Sequence, residues 1–120
     1  MTNKIIHFEI MGSDPAQSQK FYAELFGWKL ADPVAELGNY AMVDGSSAGL
    51  SGGIGSEGPG GRLRTTFYVD VPDLQAALER ASQLGGKVVS PPMEIPGTGI
   101  SLAQFSDPDG NLVGLVKGMS

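Results

Sequence analysis

The sequence predicts an α+β fold of two similar modules, each a strand, a helix and then three strands. Three observations lead there. Period-two and helical apolar patterns follow one another in the same order in both halves of the 120 residues. Phe26-Gly27-Trp28-Lys29 and Leu84-Gly85-Gly86-Lys87 each follow a helical stretch and lie 58 positions apart, close to half the chain, as an internal duplication would place them. The linker-like stretch Ser56 to Gly61 falls near the midpoint. One domain over residues 1–120 is expected, with module 1 at about 1–55 and module 2 at about 62–120. A single helix per module covers one face of a small sheet, so the other face must be buried elsewhere or form a cavity.

The first strand is Lys4 to Met11. Ile6, Phe8 and Ile10 share one face and suit a buried layer; Ile5, His7, Glu9 and Met11 share the other. Asp14 is a natural N-cap, Pro15 fits the first helical position, and Phe21, Tyr22, Leu25 and Phe26 recur at helical spacing up to a stop at Gly27. Trp28 to Val34 reads as a strand interrupted at Pro33, Asn39 to Val43 as another closed by a turn at Asp44-Gly45, and Ala48 to Gly55 as a glycine-rich third. Glycine in a strand marks a bend or a close approach by ligand or backbone. Beyond the linker the order restarts with a strand over Leu63 to Val71 and a helix over Asp73 to Leu84, whose apolar face is Leu74, Ala77, Leu78, Ala81 and Leu84. Lys87 to Ser90 is a short strand broken by Pro91-Pro92. Ile100 to Ser106 and Leu112 to Lys117 follow, joined through the turn residues Asp107-Pro108-Asp109-Gly110-Asn111.

The composition narrows the function classes. Net charge is −5, which offers no basic surface for nucleic acid or an anionic membrane and would suit a cationic ligand. The absence of cysteine excludes disulfides, thiolate metal sites and a cysteine nucleophile. Met1 to Lys4 runs straight into a strand without a signal-peptide core, and no apolar run approaches the ~20 residues that span a bilayer, so a cytoplasmic protein is expected. Gly53-Ile54-Gly55-Ser56-Glu57-Gly58 spells a dinucleotide-binding pattern, but Pro59-Gly60-Gly61 follows where that chemistry needs a helix.

The candidate site residues begin with His7, the single histidine, and Glu9 beside it on one strand face. The two are candidates for metal ligation, for an acid–base pair, for lining a polar cavity, or for a structural role. Arg64, Thr66 and Tyr68 share a face of the fifth strand, opposite Thr65, Phe67 and Val69, which suit packing under the second helix. Arg64 would clamp a carboxylate or phosphate, or neutralise Glu9. No Ser-His-Asp arrangement can be argued from spacing, because triads are recognised by geometry.

The run His7-Phe8-Glu9-Ile10, then Asp14-Pro15, Phe21-Tyr22 and Leu25-Phe26-Gly27-Trp28, resembles the first module of the vicinal-oxygen-chelate superfamily. That superfamily holds glyoxalase I, extradiol dioxygenases, fosfomycin-resistance enzymes and bleomycin-resistance proteins. Leu84-Gly85-Gly86-Lys87-Val88, Ile95-Pro96-Gly97 and Phe105-Ser106-Asp107-Pro108-Asp109-Gly110-Asn111 resemble its second module, in the glyoxalase-like branch. The resemblance implies the glyoxalase/bleomycin-resistance/dioxygenase fold, two βαβββ modules whose curved mixed sheet surrounds a cavity. It implies metal ligands on the first strand of each module and on later strands. His7 stands at the first such position; the others fall on Arg64, on Gly114 in place of a glutamate, and near Ser51. Arginine and glycine side chains cannot replace an imidazole and a carboxylate, so no metal is expected beyond a divalent ion at His7, the one matching ligand position. The implied cavity lining is His7, Glu9, Arg64, Thr66, Tyr68, Gln104 and Gly114, with extra room at Gly114 and Gly52-Gly53. The function expected is metal-free binding of a small organic molecule, as in bleomycin resistance. The alternative is a lyase, isomerase or transferase acting on a small carbonyl substrate. The resemblance also implies a homodimer.

Overall fold

The computed structural model describes residues 2–59 and 61–119. Gly60 of the linker-like stretch and Met1 of the N-terminus lie outside the described residues. The fold is α+β, with mixed parallel and antiparallel strand pairing and helices in each of two units. Contacts divide the chain into two compact units, His7–Thr65 on the one hand and Met1–Ile6 with Thr66–Ser120 on the other.

In the His7–Thr65 unit, β1 (Ile5–Met11, of which the last five residues belong here) pairs in parallel with β3 (Ser51–Gly55), placing His7 opposite Ser51 and Glu9 opposite Gly53. On its other side β3 pairs antiparallel with β2 (Ala41–Val43). Helix α1 (Pro15–Phe26) starts where the sequence places it: the Asp14 carboxylate accepts from the Gln17 backbone N–H at 3.1 Å, and Pro15 fills the first turn. It ends at Gly27, whose left-handed backbone (φ 73°) returns its N–H to the Ala23 carbonyl. The helix face that packs inward is a surprise. Gln19 is its buried residue, while Phe21, Leu25 and Phe26 are 58%, 58% and 55% exposed. Gln19 Nε2 donates to the carbonyls of Asn39 at 2.7 Å and Ile54 at 2.8 Å, so a side-chain amide ties the helix to β3 and to the approach to β2. Trp28 joins Phe8, Tyr22 and Phe26 in an aromatic cluster with ring centroids 5.2–5.7 Å apart.

Two expectations change here. Trp28 to Val34 is not a strand: only isolated bridges, Leu30 to Val43 and Val34 to Tyr40, mark it. Pro33 has no N–H to give a ladder, and the bonds that form (Ala31 N–H to Met42 O, Val34 N–H to Tyr40 O) follow β2 irregularly. The Asp44-Gly45 turn extends into a short helix α2 (Gly45–Ala48), capped by the Asp44 side chain, which accepts from the Ser46 N–H and hydroxyl at 2.9 Å each. This delays β3 to Ser51.

The other unit runs β4 (Arg64–Asp70, of which Thr66 onward belongs here), α3 (Leu74–Gln83), β5 (Lys87–Ile95), β6 (Ile100–Ser106) and β7 (Leu112–Lys117). Strand order is β4-β7-β6-β5, parallel between β4 and β7 and antiparallel elsewhere. Asp73 caps α3 by accepting from the Ala76 N–H at 3.0 Å. The core forms from Val71, Leu74, Leu78, Ala103 and Leu115, with Val69, Ala77 and Phe105 against it. Asp107 holds the β6–β7 turn, its carboxylate accepting from the backbone N–H groups of Asp109 and Asn111 and from the Asn111 amide. Pro91-Pro92 does not break β5 after Ser90. The strand continues through both prolines to Ile95, with its pairing to β6 shifting register between Val88 and Met93. Proline survives in a strand at an edge, where a missing N–H breaks no second ladder, and β5 is that edge. Among the described residues no helix is long and apolar enough to cross a membrane.

Candidate functional site

The face of β1 that carries His7 and Glu9 is the more buried one. His7, Glu9 and Met11 are 3%, 8% and 9% exposed, whereas Phe8 and Ile10 are only partly covered. β4 behaves alike: Thr66 and Tyr68 are buried, and Phe67, expected to pack under α3, is exposed. Polarity alone would have turned these faces to water; burial is set instead by what packs on them.

In the His7–Thr65 unit two hydroxyls hold the imidazole. His7 Nδ1 lies 2.7 Å from Ser51 Oγ, its cross-strand partner, and Nε2 lies 2.8 Å from Tyr40 Oη. Tyr40 reaches His7 by lying across β3. A methyl group at Gly53 would fall on the Tyr40 ring, and one at Gly55 would meet the same ring at 2.8 Å. A close approach was expected at the β3 glycines from a ligand or from backbone; what comes close is a side-chain ring of the same chain. Burial pulls the His7 pKa below its ordinary 6.5, and the Glu9 charge pulls it back only in part. The imidazole is therefore neutral at pH 7. A depressed folded-state value means that the unfolded chain takes up this proton first as pH falls. The contribution of His7 to stability is therefore complete above about 6.5 and is lost as pH drops from there through the folded value. A single imidazole titrates in this chain. Its NMR resonances should show a midpoint below 6.5, and one at or above that value would contradict the buried neutral state.

Beside His7, Glu9 forms a buried ion pair. Arg64 Nη1 donates to Glu9 Oε1 at 2.8 Å, and Arg64 Nε donates to Glu57 Oε2 at 2.6 Å. Glu57 also accepts from the Arg62 backbone N–H, which folds the loop after β3 back onto β4. Burial raises the Glu57 pKa, but the bonds from Arg64 and Arg62 and both positive charges outweigh it, leaving the carboxyl below its ordinary value. Of the two roles open to Arg64, neutralising Glu9 is the one the geometry displays. Two carboxylates meet one guanidinium, so the group carries net negative charge.

In the other unit Thr66 Oγ1 donates to the Leu112 carbonyl at 2.6 Å, and Gln104 Nε2 donates to Tyr68 Oη at 3.1 Å. Gly114 pairs with Tyr68 on one side and Gln104 on the other. The Tyr68 ring lies on Gly114, where a side chain would collide with it. The extra room expected at Gly114, Gly52 and Gly53 is thus occupied: by Tyr68, by the Phe8 ring and by Tyr40 respectively. Of the expected site residues, then, His7, Glu9 and Arg64 lie in one unit, and Thr66, Tyr68, Gln104 and Gly114 in the other. Sequence reasoning missed Tyr40 and Glu57. Neither carried a local signal: the seat that Gly53 and Gly55 offer the Tyr40 ring shows only once β3 and the residues before β2 are placed side by side.

A divalent metal does not fit the donors present. Among the described residues no three His, Asp or Glu side chains come together to hold one. Both His7 nitrogens face hydroxyls, and Glu9 faces a guanidinium.

The Glyoxalase/Bleomycin resistance protein/Dioxygenase superfamily model matches residues 4–115. Among curated proteins the chain is similar to "Putative glyoxylase CFP32" of Mycobacterium bovis, 27% identical over 117 residues; the match covers 97% of this chain but spans only 44% of that relative. Methylmalonyl-CoA epimerase from Mycobacterium tuberculosis shares the fold at TM-score 0.67 and 16% identity, over 97% of this chain and 88% of the other. The Mn(II)-bound glyoxalase from Novosphingobium aromaticivorans does so at TM-score 0.69 and 16% identity, over 98% of this chain and 38% of the other.

Proposed function

We propose, for a chain that belongs to the Glyoxalase/Bleomycin resistance protein/Dioxygenase superfamily, that it binds a small organic molecule through its buried polar sheet face and needs no divalent metal to do so. The observation that carries this reading is the Glu9–Arg64 ion pair beside a neutral His7, all inside one unit. A sheet face kept only for stability would do as well or better with apolar residues, since desolvating a charge pair offsets much of its attraction. Perturbed, buried ionisable groups cluster where ligands or substrates are handled. The net negative charge of Glu9, Arg64 and Glu57 favours a neutral or cationic ligand with hydrogen-bonding groups.

The test is thermal unfolding in the presence of EDTA against a panel of small organic cations and carbonyl compounds. A ligand of the native state raises Tm by mass action. The expected result is stabilisation by one compound class in EDTA that weakens in Glu9→Gln. Stabilisation that appears only when Mn²⁺ or Zn²⁺ is added would overturn the reading.

A proton-transfer enzyme is the second reading, favoured by one observation: an imidazole held neutral and hydrogen-bonded at both nitrogens has the protonation state of a general base at pH 7.

A further inference from the structure

We propose that Ser51 is a nucleophile with His7 as its general base and Tyr40 as the residue that positions the imidazole, and that this constellation takes small activated carboxylic esters. The proposal rests on the reading that small molecules reach this face and adds a reaction to it. Its geometry is that of an activated hydroxyl: nucleophile to base at 2.7 Å, and base to a third, orienting group at 2.8 Å. Neither the order of the three residues nor the absence of an aspartate counts against it, because such sites are defined by roles and distances. The burial runs the required way. Ser51, at the start of β3, is only partly covered, while the imidazole behind it is 3% exposed and uncharged. Gly53 and Gly55 seat the Tyr40 ring that fixes the far nitrogen. In the productive tautomer Nε2–H donates to Tyr40 Oη, and Nδ1 accepts the Ser51 proton.

The step balances without any cofactor. Ser51 Oγ forms a bond to the acyl carbon, and its proton passes to His7 Nδ1. The bond from carbon to the leaving oxygen breaks, and that oxygen takes the proton from Nδ1. Water then attacks the acyl-serine with His7 as base, releasing the acid and restoring the Ser51 hydroxyl. A cross-strand hydrogen bond with no chemical role is the competing explanation, since His7 and Ser51 are register partners.

The experiment uses the full chain and p-nitrophenyl acetate. The expected result is a burst of p-nitrophenolate, with peptide mapping of the wild-type protein placing the acetyl group on Ser51. Ser51→Ala should reduce release to the buffer background. His7→Asn should slow it by about 10²–10⁴-fold. Tyr40→Phe should lower kcat and move the acid limb of its pH profile, which a merely structural tyrosine would not do. Acetyl groups found only on lysines or the N-terminus, or release unchanged in Ser51→Ala, would overturn the proposal. Peptide mapping is done on the wild-type chain, so its outcome does not depend on a variant folding. If organic compounds raise Tm while Ser51 stays unlabelled, the nucleophile is refuted and the binding reading stands. Labelled Ser51 with no stabilising compound upholds the nucleophile and access to this face, and overturns stable binding of the panel compounds.

Discussion

Arg64→Met should be among the most damaging single substitutions in this protein, costing about 3–5 kcal/mol in urea unfolding. The guanidinium sits between two carboxylates, and its side chain and that of Glu9 are 12% and 11% exposed. Removing it leaves Glu9 buried with its cation gone, a state far worse than having no charge there at all. The same logic predicts rescue. Glu9→Leu combined with Arg64→Met removes both ions and puts apolar side chains in their place, and most of the lost stability should return. A double variant as unstable as the single would mean that Arg64 holds the fold through Glu57 and the loop after β3, and that the pair with Glu9 matters little.

Gly53→Ala is the second expected large effect, and it acts through Tyr40. A methyl group at this position coincides with the tyrosine ring, which also lies close over Gly55 of the same strand face. Tyr40 must move, at an overpacking cost of about 1–3 kcal/mol. His7 then loses the hydroxyl at Nε2, a hydrogen bond worth about 0.5–1.5 kcal/mol net. Two readouts separate these parts: the unfolding free energy, and the imidazole resonances, which should shift as the far nitrogen changes partner. In a Tyr40→Ala background the added methyl should cost little. A full penalty there would place the strain elsewhere in β3.

The elements with local causes were legible in the sequence. Asp14-Pro15 starts a helix because a carboxylate accepts from a first-turn N–H, and Gly27 ends it because it can turn left-handed; for the second helix Pro72-Asp73 left the cap open, and the structure gives it to Asp73. Asp107 to Asn111 reads as a turn for the same kind of reason. Strand alternation and a shared sheet face point to His7, Glu9 and Arg64 as neighbours, and Glu9 does pair with Arg64. What stayed hidden depends on partners remote in the chain. Nothing near Gln19 says that its amide will serve two carbonyls 20 and 35 positions away. Nothing near residue 40 says that a tyrosine will cross β3 to an imidazole 33 positions earlier. A glycine reads as empty space because a missing side chain leaves room. In both units a tyrosine of the chain itself takes that room and carries its hydroxyl over a bare strand to a polar side chain on the far side. Glycine and tyrosine act there as one two-part fitting, visible only when both halves are in view.

The passage of β5 through Pro91 and Pro92 has a consequence for crowded solution. An outermost strand is where a second molecule would add its own strand and where sheets grow from chain to chain. Val88, Val89 and Met93 on this strand are exposed and apolar, the composition that invites such growth. Two adjacent residues without amide protons interrupt the row of donors at its middle, and the register shift on either side spoils the straight template. The prolines therefore act as a guard against fibrous self-association, a protection that lies in the backbone and would survive changes to every neighbouring side chain.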